Sequence, residues 1–248
     1  MCLLISCEVG GDSVPAALIR TEGDAQADSK SSKHFETGPL PDRLLGDQSA
    51  LYVAKRLATG FDAPLIANRY SPQLIDVGRS LHHRELFPKL TRQWSPDDRQ
   101  SLIDLIYLPY RDRIRRAIAG GLLRHSYVIH LSIRTFDLRS RGKVRRTDVG
   151  LLYDPSNNNE VDLCLDWIDE LFDEAEMLKV RRNYPRRGTT DSITKAMRSE
   201  FAGTQYLGIE LMLNRAWAAR DVSLRDQAID GLIWSLKTIT DGVNAEAA

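Results

Sequence analysis

The feature that most constrains this chain is its rhythm. Short apolar runs bounded by Gly, Pro or Asp alternate with stretches of helical spacing from one end to the other. Leu3-Leu4-Ile5-Ser6-Cys7, closed by Gly10-Gly11, reads as a buried strand. Ser49 to Leu57 places Ala50, Leu51, Ala54 and Leu57 on one helical face, and Pro64 to Ala67 and Gln73 to Val77 are strand-like. Ser95-Pro96-Asp97-Asp98 predicts a helix start, with a Ser cap, Pro in the first turn and acids at the positive end of the dipole. That helix is expected to pass Ile106, to kink or break at Pro109, and to end at Gly120-Gly121. Tyr127 to Ile133 and Val149 to Tyr153 predict strands, and Val161 to Phe172 a deeply packed helix. After a turn at Asn183-Tyr184-Pro185 follow a short helix (Asp191 to Phe201), a strand (Gln205 to Leu211) and a last helix capped by Ser223. Strands and helices in alternation predict an α/β layered domain with a mixed, largely parallel sheet. We expect one domain over residues 1–248, with a polar surface loop at 20–41 and a frayed tail from Asn244.

Composition narrows the function classes. Lys+Arg and Asp+Glu number 34 each, so the net charge is zero, which argues against a nucleic acid as main partner. No apolar run approaches the ~20 residues of a membrane span. Cys2, Cys7 and Cys164 are too few and too scattered for a disulfide framework or a zinc ribbon, and they predict reduced thiols in a cytoplasmic protein. Leu4-Ile5-Ser6-Cys7 imitates a lipid-attachment box, but without a basic and apolar leader before it we reject that reading.

In an open α/β sheet, ligands bind beyond the carboxyl ends of the strands. The residues expected there include Glu8, Asp76, Arg79, Arg134 and Glu210. Two arginine clusters accompany them: Arg139, Arg141, Lys143, Arg145 and Arg146, then Arg181, Arg182, Arg186 and Arg187. Such clusters are either solvated loops or planar, bidentate sites for carboxylate or phosphate. Few aromatics accompany them, which places nucleic acid lowest. His130 sits inside an apolar strand and reads as a core histidine, while the adjacent His82 and His83 share no face. The chain has no helical zinc motif, P-loop or dinucleotide fingerprint.

Several motifs, taken in order, resemble the N-formylglutamate amidohydrolase family. They are Leu3 to Gly11 with Val14-Pro15, Leu74 to Leu81, Leu131 to Phe136, Asp148 to Pro155, Arg181 to Pro185 with Arg187-Gly188, and Tyr206 to Leu211. The resemblance implies a three-layer α/β/α fold like that of zinc-dependent exopeptidases. It implies hydrolysis of the N-acyl (formyl) amide of a small acidic amino acid, with zinc as cofactor polarising the carbonyl. It makes Glu210 the general base, with Glu8 a catalytic neighbour or metal ligand. It makes Arg79 the holder of the substrate carboxylate, oriented by Asp76; Arg134, Arg182, Asn183 and Arg187 are our further candidates for substrate binding.

Five positions depart from the pattern of that family. Val9 and Arg134 stand where its zinc-binding histidines are expected. Gly78 stands for Asn, Arg186 for Tyr and Met212 for Glu. Valine donates nothing to a metal, and a guanidinium repels one. Unless Asp76, His82, His130 or Asp148 substitutes, the three protein ligands of a catalytic zinc are missing. Two readings follow: a hydrolase with a rearranged site, or a catalytically impaired relative that binds a small carboxylate with Arg134 as a fixed cation in the place of the metal. A third makes the chain a structural or interaction protein, with the loop at 20–41 and the arginine loop as its contact surface.

Overall fold

The computed structural model describes residues 1–18, 43–218 and 221–246, so the loop expected at 20–41 lies outside the described residues. In chain order the described elements are β1 (Cys2–Cys7), a 3-10 turn (Ala16–Leu18), α1 (Gln48–Phe61), β2 (Leu65–Ala67), α2 (Pro96–Leu102), a π-helical turn (Ile103–Tyr107) and α3 (Leu108–Leu122). There follow β3 (Val128–Phe136), a hairpin of β4 (Arg139–Ser140) and β5 (Lys143–Val144), β6 (Val149–Leu152), α4 (Asn158–Glu174), β7 (Val180–Arg182), α5 (Ile193–Glu200), β8 (Tyr206–Asn214), α6 (Arg215–Ala218) and α7 (Val222–Glu246).

Six strands form one sheet in the order β2-β1-β3-β8-β6-β7, with β6 against β8 its antiparallel pair. Because side chains alternate along a strand, the sheet divides the sequence into two cores. Leu3, Ile5, Ile129, Leu131, Ile209 and Leu211 face α1, α4 and α7. On the other face, Leu4, Val128 and Tyr206 pack with Leu102, Ile106, Ile114 and Ile118 of the α2–α3 rod and with Ile193 and Met197 of α5. This is the mixed, largely parallel α/β/α sandwich expected. None of its described helices is long and apolar enough to cross a membrane.

Local chemistry accounts for the helix starts. The carboxylate of Asp47 accepts from Ala50 N at 3.1 Å, Ser95 from Asp98 N at 3.1 Å, and Asn157 from Glu160 N at 3.3 Å. At the hairpin tip, Arg141 and Gly142 both take positive φ (48° and 76°), as a tight two-residue turn between twisted strands requires.

Four expectations need correction. Gln73 to Val77 is irregular, not a strand; Leu74, Ile75 and Val77 are buried, and side chains satisfy their carbonyls, with Thr91 donating to Leu74 O at 2.7 Å and Arg111 to Val77 O at 3.3 Å. Pro109 does not break the helix. It lies in the first turn of α3, directly after the π-helical turn, where the wider hydrogen-bond spacing removes the need for its missing N–H. The last helix starts at Val222 with Asp221 accepting from Ser223 N at 2.8 Å, and it continues to Glu246, past the expected start of the tail. Finally, β3 and β8 run on to Phe136 and Asn214, which puts Arg134 and Met212 inside the sheet as cross-strand partners.

Candidate functional site

The chain reverses its direction of build across β1. The helix after β1 lies on one face and the helices after β2 on the other, so the topological switch point of the sheet falls at the carboxyl ends of β1 and β3, where open α/β sheets form their ligand crevice. Register brings the polar residues of three strands together there. Ser6 pairs with Ser132, Ser132 with Glu210, and Arg134 with Met212, all on the α2–α3 face.

Glu8, the residue after β1, is buried in a cage of hydroxyls. Its Oε1 accepts from Ser6 at 2.7 Å and from Tyr110 at 3.1 Å, and its Oε2 accepts from Ser132 at 2.7 Å. Behind the cage, His130 lies 2.8 Å from both the Ser6 hydroxyl and Tyr206. Since Ser6 gives its hydrogen to Glu8, Nε2–H of His130 donates to Ser6 and Nδ1 accepts from Tyr206. Burial, aided by the charge of Arg198, pushes His130 down to about 3, so it is neutral. It is a satisfied core histidine.

Arg134 reaches into the space in front of this cage. Its Nη2 donates to Asp76 Oδ2 at 3.2 Å. Burial works against its charge, but the carboxylates of Asp76, Glu8 and Glu210 outweigh that and hold the guanidinium more firmly protonated than usual. Gly78 makes this placement possible: a Cβ there would lie 2.5 Å from Arg134 Nη1 and 3.1 Å from Asp76 Oδ1. Asp76 also accepts from Gly78 N at 3.0 Å and lies 3.5 Å from Arg79 Nε. Burial would raise its pKa, but Arg134 and Arg79 together hold it below the usual carboxylate range.

Three residues that the sequence reading missed hold this loop. Tyr107, Tyr110 and Arg111 project from one face of the π-helical turn and α3, at spacings i, i+3 and i+4. Tyr107 donates to Arg79 O at 2.8 Å, Arg111 donates to the same carbonyl at 3.0 Å, and Tyr110 reaches Glu8. Polar tips recurring on an apolar helix face are the signal that would have found them. From the far side, Asp191 O accepts from Arg79 Nη1 at 3.0 Å and its carboxylate from Ser80 N at 3.0 Å.

Glu210 is buried on β8 and ion-paired with Arg186; Thr194 donates to its other oxygen at 3.3 Å. Thus the structure brings Glu8, Asp76, Arg79, Arg134 and Glu210 to one place, and adds Arg186. It does not bring Asn183 there. That side chain is spent within its own loop, accepting from Gly188 N at 2.7 Å and Tyr153 N at 3.3 Å. Arg182 and Arg187 are exposed, and Arg182 hydrogen-bonds to Tyr153 of the opposite core. Val9 packs against the opposite core, and Met212 joins Phe136, Leu152 and Tyr184 in a small apolar cluster beside Arg134.

The donors here do not fit a zinc ion. Both oxygens of Glu8 are taken by hydroxyls, Asp76 is shared by two guanidiniums, and Arg134 puts a permanent cation between them. The substitutes considered from sequence are placed elsewhere. His82 is exposed, His83 accepts from Glu85 N at 3.1 Å, and Asp148 accepts from Lys179 N at 3.0 Å. Among the described residues no group of three His, Cys, Asp or Glu side chains is arranged to hold a metal.

Comparison with known proteins agrees with the fold. The family described as FGase, N-formylglutamate amidohydrolase, matches residues 1–216. The structure is similar to that of the gene product Atu2144 of Agrobacterium tumefaciens, with TM-score 0.68 and 19% identity over 96% of this chain and 91% of that one. It is also similar to an N-formylglutamate amidohydrolase of Ralstonia eutropha, with TM-score 0.58 and 15% identity over 97% and 94% of the two chains. No curated protein matches the chain in sequence.

Proposed function

Because the chain belongs to the N-formylglutamate amidohydrolase family, we propose that its amidohydrolase-like crevice binds a small carboxylate and does not cleave it. The observation that carries this reading is the pairing of Arg134 with Asp76 and of Arg186 with Glu210. Two arginines that depart from the family pattern occupy two of the acids that hydrolysis would use. Cleavage of an N-formyl or other N-acyl amide needs water activated at the position these guanidiniums hold. We derive no step through zinc, for the reasons its donors give.

Binding remains well supported. Each guanidinium brings five N–H donors. Arg186 Nη1 is buried without a hydrogen-bond partner, and Arg79 Nε has only the 3.5 Å contact with Asp76. A buried donor left unpaired costs about 1–3 kcal/mol, which a ligand carboxylate offsets by accepting from it. Asp76 then acts as a positioning residue, fixing the planes of Arg79 and Arg134, while Tyr107 and Arg111 fix the backbone that carries Arg79.

The test is a pair of measurements on purified protein, with and without added zinc. Formate release from N-formylglutamate is expected to stay at the blank level. N-formylglutamate or N-acetylglutamate is expected to raise the melting temperature, with a stabilisation of about 2.7 kcal/mol at a hundredfold excess over Kd. Arg79→Gln should abolish that gain. Zinc-dependent formate release would overturn the non-hydrolytic reading, and a melt indifferent to every small acid would overturn the binding one.

A further inference from the structure

The inner crevice is electrically balanced. Three carboxylates (Glu8, Asp76, Glu210) face three guanidiniums (Arg79, Arg134, Arg186). An anion entering it therefore needs positive potential from outside, and the structure supplies a second set of cations at its edge. Arg139, Arg141, Lys143 and Arg146 lie in or just after the β4–β5 hairpin, which follows β3 directly, and Arg181 and Arg182 lie on β7. All six are exposed, and none has an ion-pair partner among the described residues. The chain's zero net charge conceals this segregation, because the matching acids include the exposed Asp162, Asp166, Asp169 and Asp173 of α4.

The two halves of the rim are tied into one surface. Arg145 lies over the Phe136 ring at 5.8 Å, Phe136 meets Tyr184 edge-to-face at 5.7 Å, and Arg181 lies over Tyr184 at 5.7 Å. Phe136 lies two residues beyond Arg134 on the same strand face, so this ladder starts at the lip of the crevice. It crosses from β3 to β7, three strand spacings or about 14 Å. A single amino acid is too short to touch both ends, whereas about four residues of extended peptide span it.

We propose that the natural ligand class of this crevice is an acidic peptide: one carboxylate seats at Arg79 and Arg186, and the following acids lie along the Arg145–Phe136–Tyr184–Arg181 ladder. The inference rests on the carboxylate-binding reading above. A nucleic acid is the poorer fit, because the ring faces on which bases would stack are covered by the protein's own guanidiniums. Carboxylates need no free ring face, only exposed guanidinium edges.

The experiment compares N-acetylglutamate, acetylated hexaglutamate, inorganic tripolyphosphate and a twelve-nucleotide single-stranded DNA as ligands of the full chain at low and high salt. Hexaglutamate is expected to bind at least tenfold more tightly than N-acetylglutamate, with the advantage disappearing in high salt. The exposed double variant Arg141→Glu/Lys143→Glu, and separately Arg181→Gln, should remove that advantage and leave the melting shift given by N-acetylglutamate unchanged. If N-acetylglutamate binds and hexaglutamate gains nothing, the peptide proposal is overturned while the crevice reading stands. If hexaglutamate binding depends on the rim but is indifferent to Arg79→Gln, and N-acetylglutamate gives no shift, the crevice reading fails and so does the seating of the peptide in it. Tripolyphosphate or DNA binding more tightly than hexaglutamate, with the same rim dependence, would also overturn the proposal.

Discussion

Removing Arg134 is the sharpest test of how the crevice is held together. In Arg134→Ala, Asp76 keeps Arg79 but loses the guanidinium 3.2 Å away, and Glu8 and Glu210 lose the cation they share. At an effective dielectric of 20, opposite charges at that separation attract by about 5 kcal/mol, part of which the cost of desolvating them cancels. Breaking a buried pair by deleting one partner typically destabilises by about 3–5 kcal/mol, because the other charge is left uncompensated. For a chain of this size that corresponds to a melting temperature roughly 6–20 °C lower.

The pH dependence separates this account from simple loss of packing. In the natural protein Asp76 is held below its ordinary pKa. Its contribution to stability is therefore present above the unfolded carboxylate pKa of about 3.9, and is lost as pH falls through the lower folded value. Without Arg134 burial opposes the ionisation of Asp76 with only Arg79 to offset it, so the variant is penalised near pH 7 and relieved as the medium approaches pH 4. Urea unfolding followed by circular dichroism should show a deficit that shrinks steadily between those limits. Arg134→Met, which keeps most of the volume, should behave like the alanine variant, and adding Asp76→Asn should restore much of the loss. A deficit under about 1 kcal/mol, or one equal at both pH extremes, would refute the argument, since exposed pairs give that little.

Three further outcomes follow from the same coordinates. Gly78→Ala should cost about 1–3 kcal/mol by driving Arg134 out of its pair, and should cost markedly less when Arg134 is already alanine, a coupling that a double-mutant cycle measures. Burial and the nearby charge of Glu8 push the Cys7 thiol up to about 12, and burial raises Cys164 as well, so a thiol reagent at pH 8 should label neither until the protein is unfolded. His130, held neutral by burial with a value near 3, should show no imidazole titration by nuclear magnetic resonance between pH 8 and about pH 4.5. Because the unfolded chain takes that proton first, this residue lowers stability as pH falls below about 6.5, by up to about 1.4 kcal/mol per pH unit.

The layered fold was readable because its signals are local. Ser95-Pro96 starts a helix in any context, and the β-branched run before Ile133 has nowhere to go but a sheet. Gln73 to Val77 misled for the opposite reason. Its apolar residues are buried, but distant side chains, Thr91 and Arg111, satisfy its backbone, and no local pattern announces that. The sequence-based end of β3 falls short because the charged Arg134 interrupts the apolar run, whereas β8 stays apolar from Leu211 through Leu213 and its longer reach has no such cause. The acids and arginines of the crevice are legible because they follow the carboxyl ends of the strands, and the ordered family motifs assign them roles. The three residues that brace it from the helix rod were invisible to that route. The two arginine clusters of the rim are legible in the sequence, but a net charge of zero does not say that they stand apart from the acids.

The residues expected to differ from the family pattern depend on one another in this structure. Gly78 removes the side chain that would collide with Arg134, and Arg134 fills the space that a larger residue at 78 would claim. Arg186 neutralises the buried Glu210, which would otherwise face Glu8 and Asp76 with one cation too few. Met212, directly across from Arg134, adds no fourth acid to the group and instead joins Phe136 and Tyr184 in the apolar wall on which the outer arginines stack. Restoring histidine at 134 alone would leave Asp76 short of a cation and Gly78 facing a void. Restoring asparagine at 78 alone would displace the guanidinium. Gly78 and Arg134 are thus coupled by space, and Arg134 with Asp76 and Arg186 with Glu210 by charge.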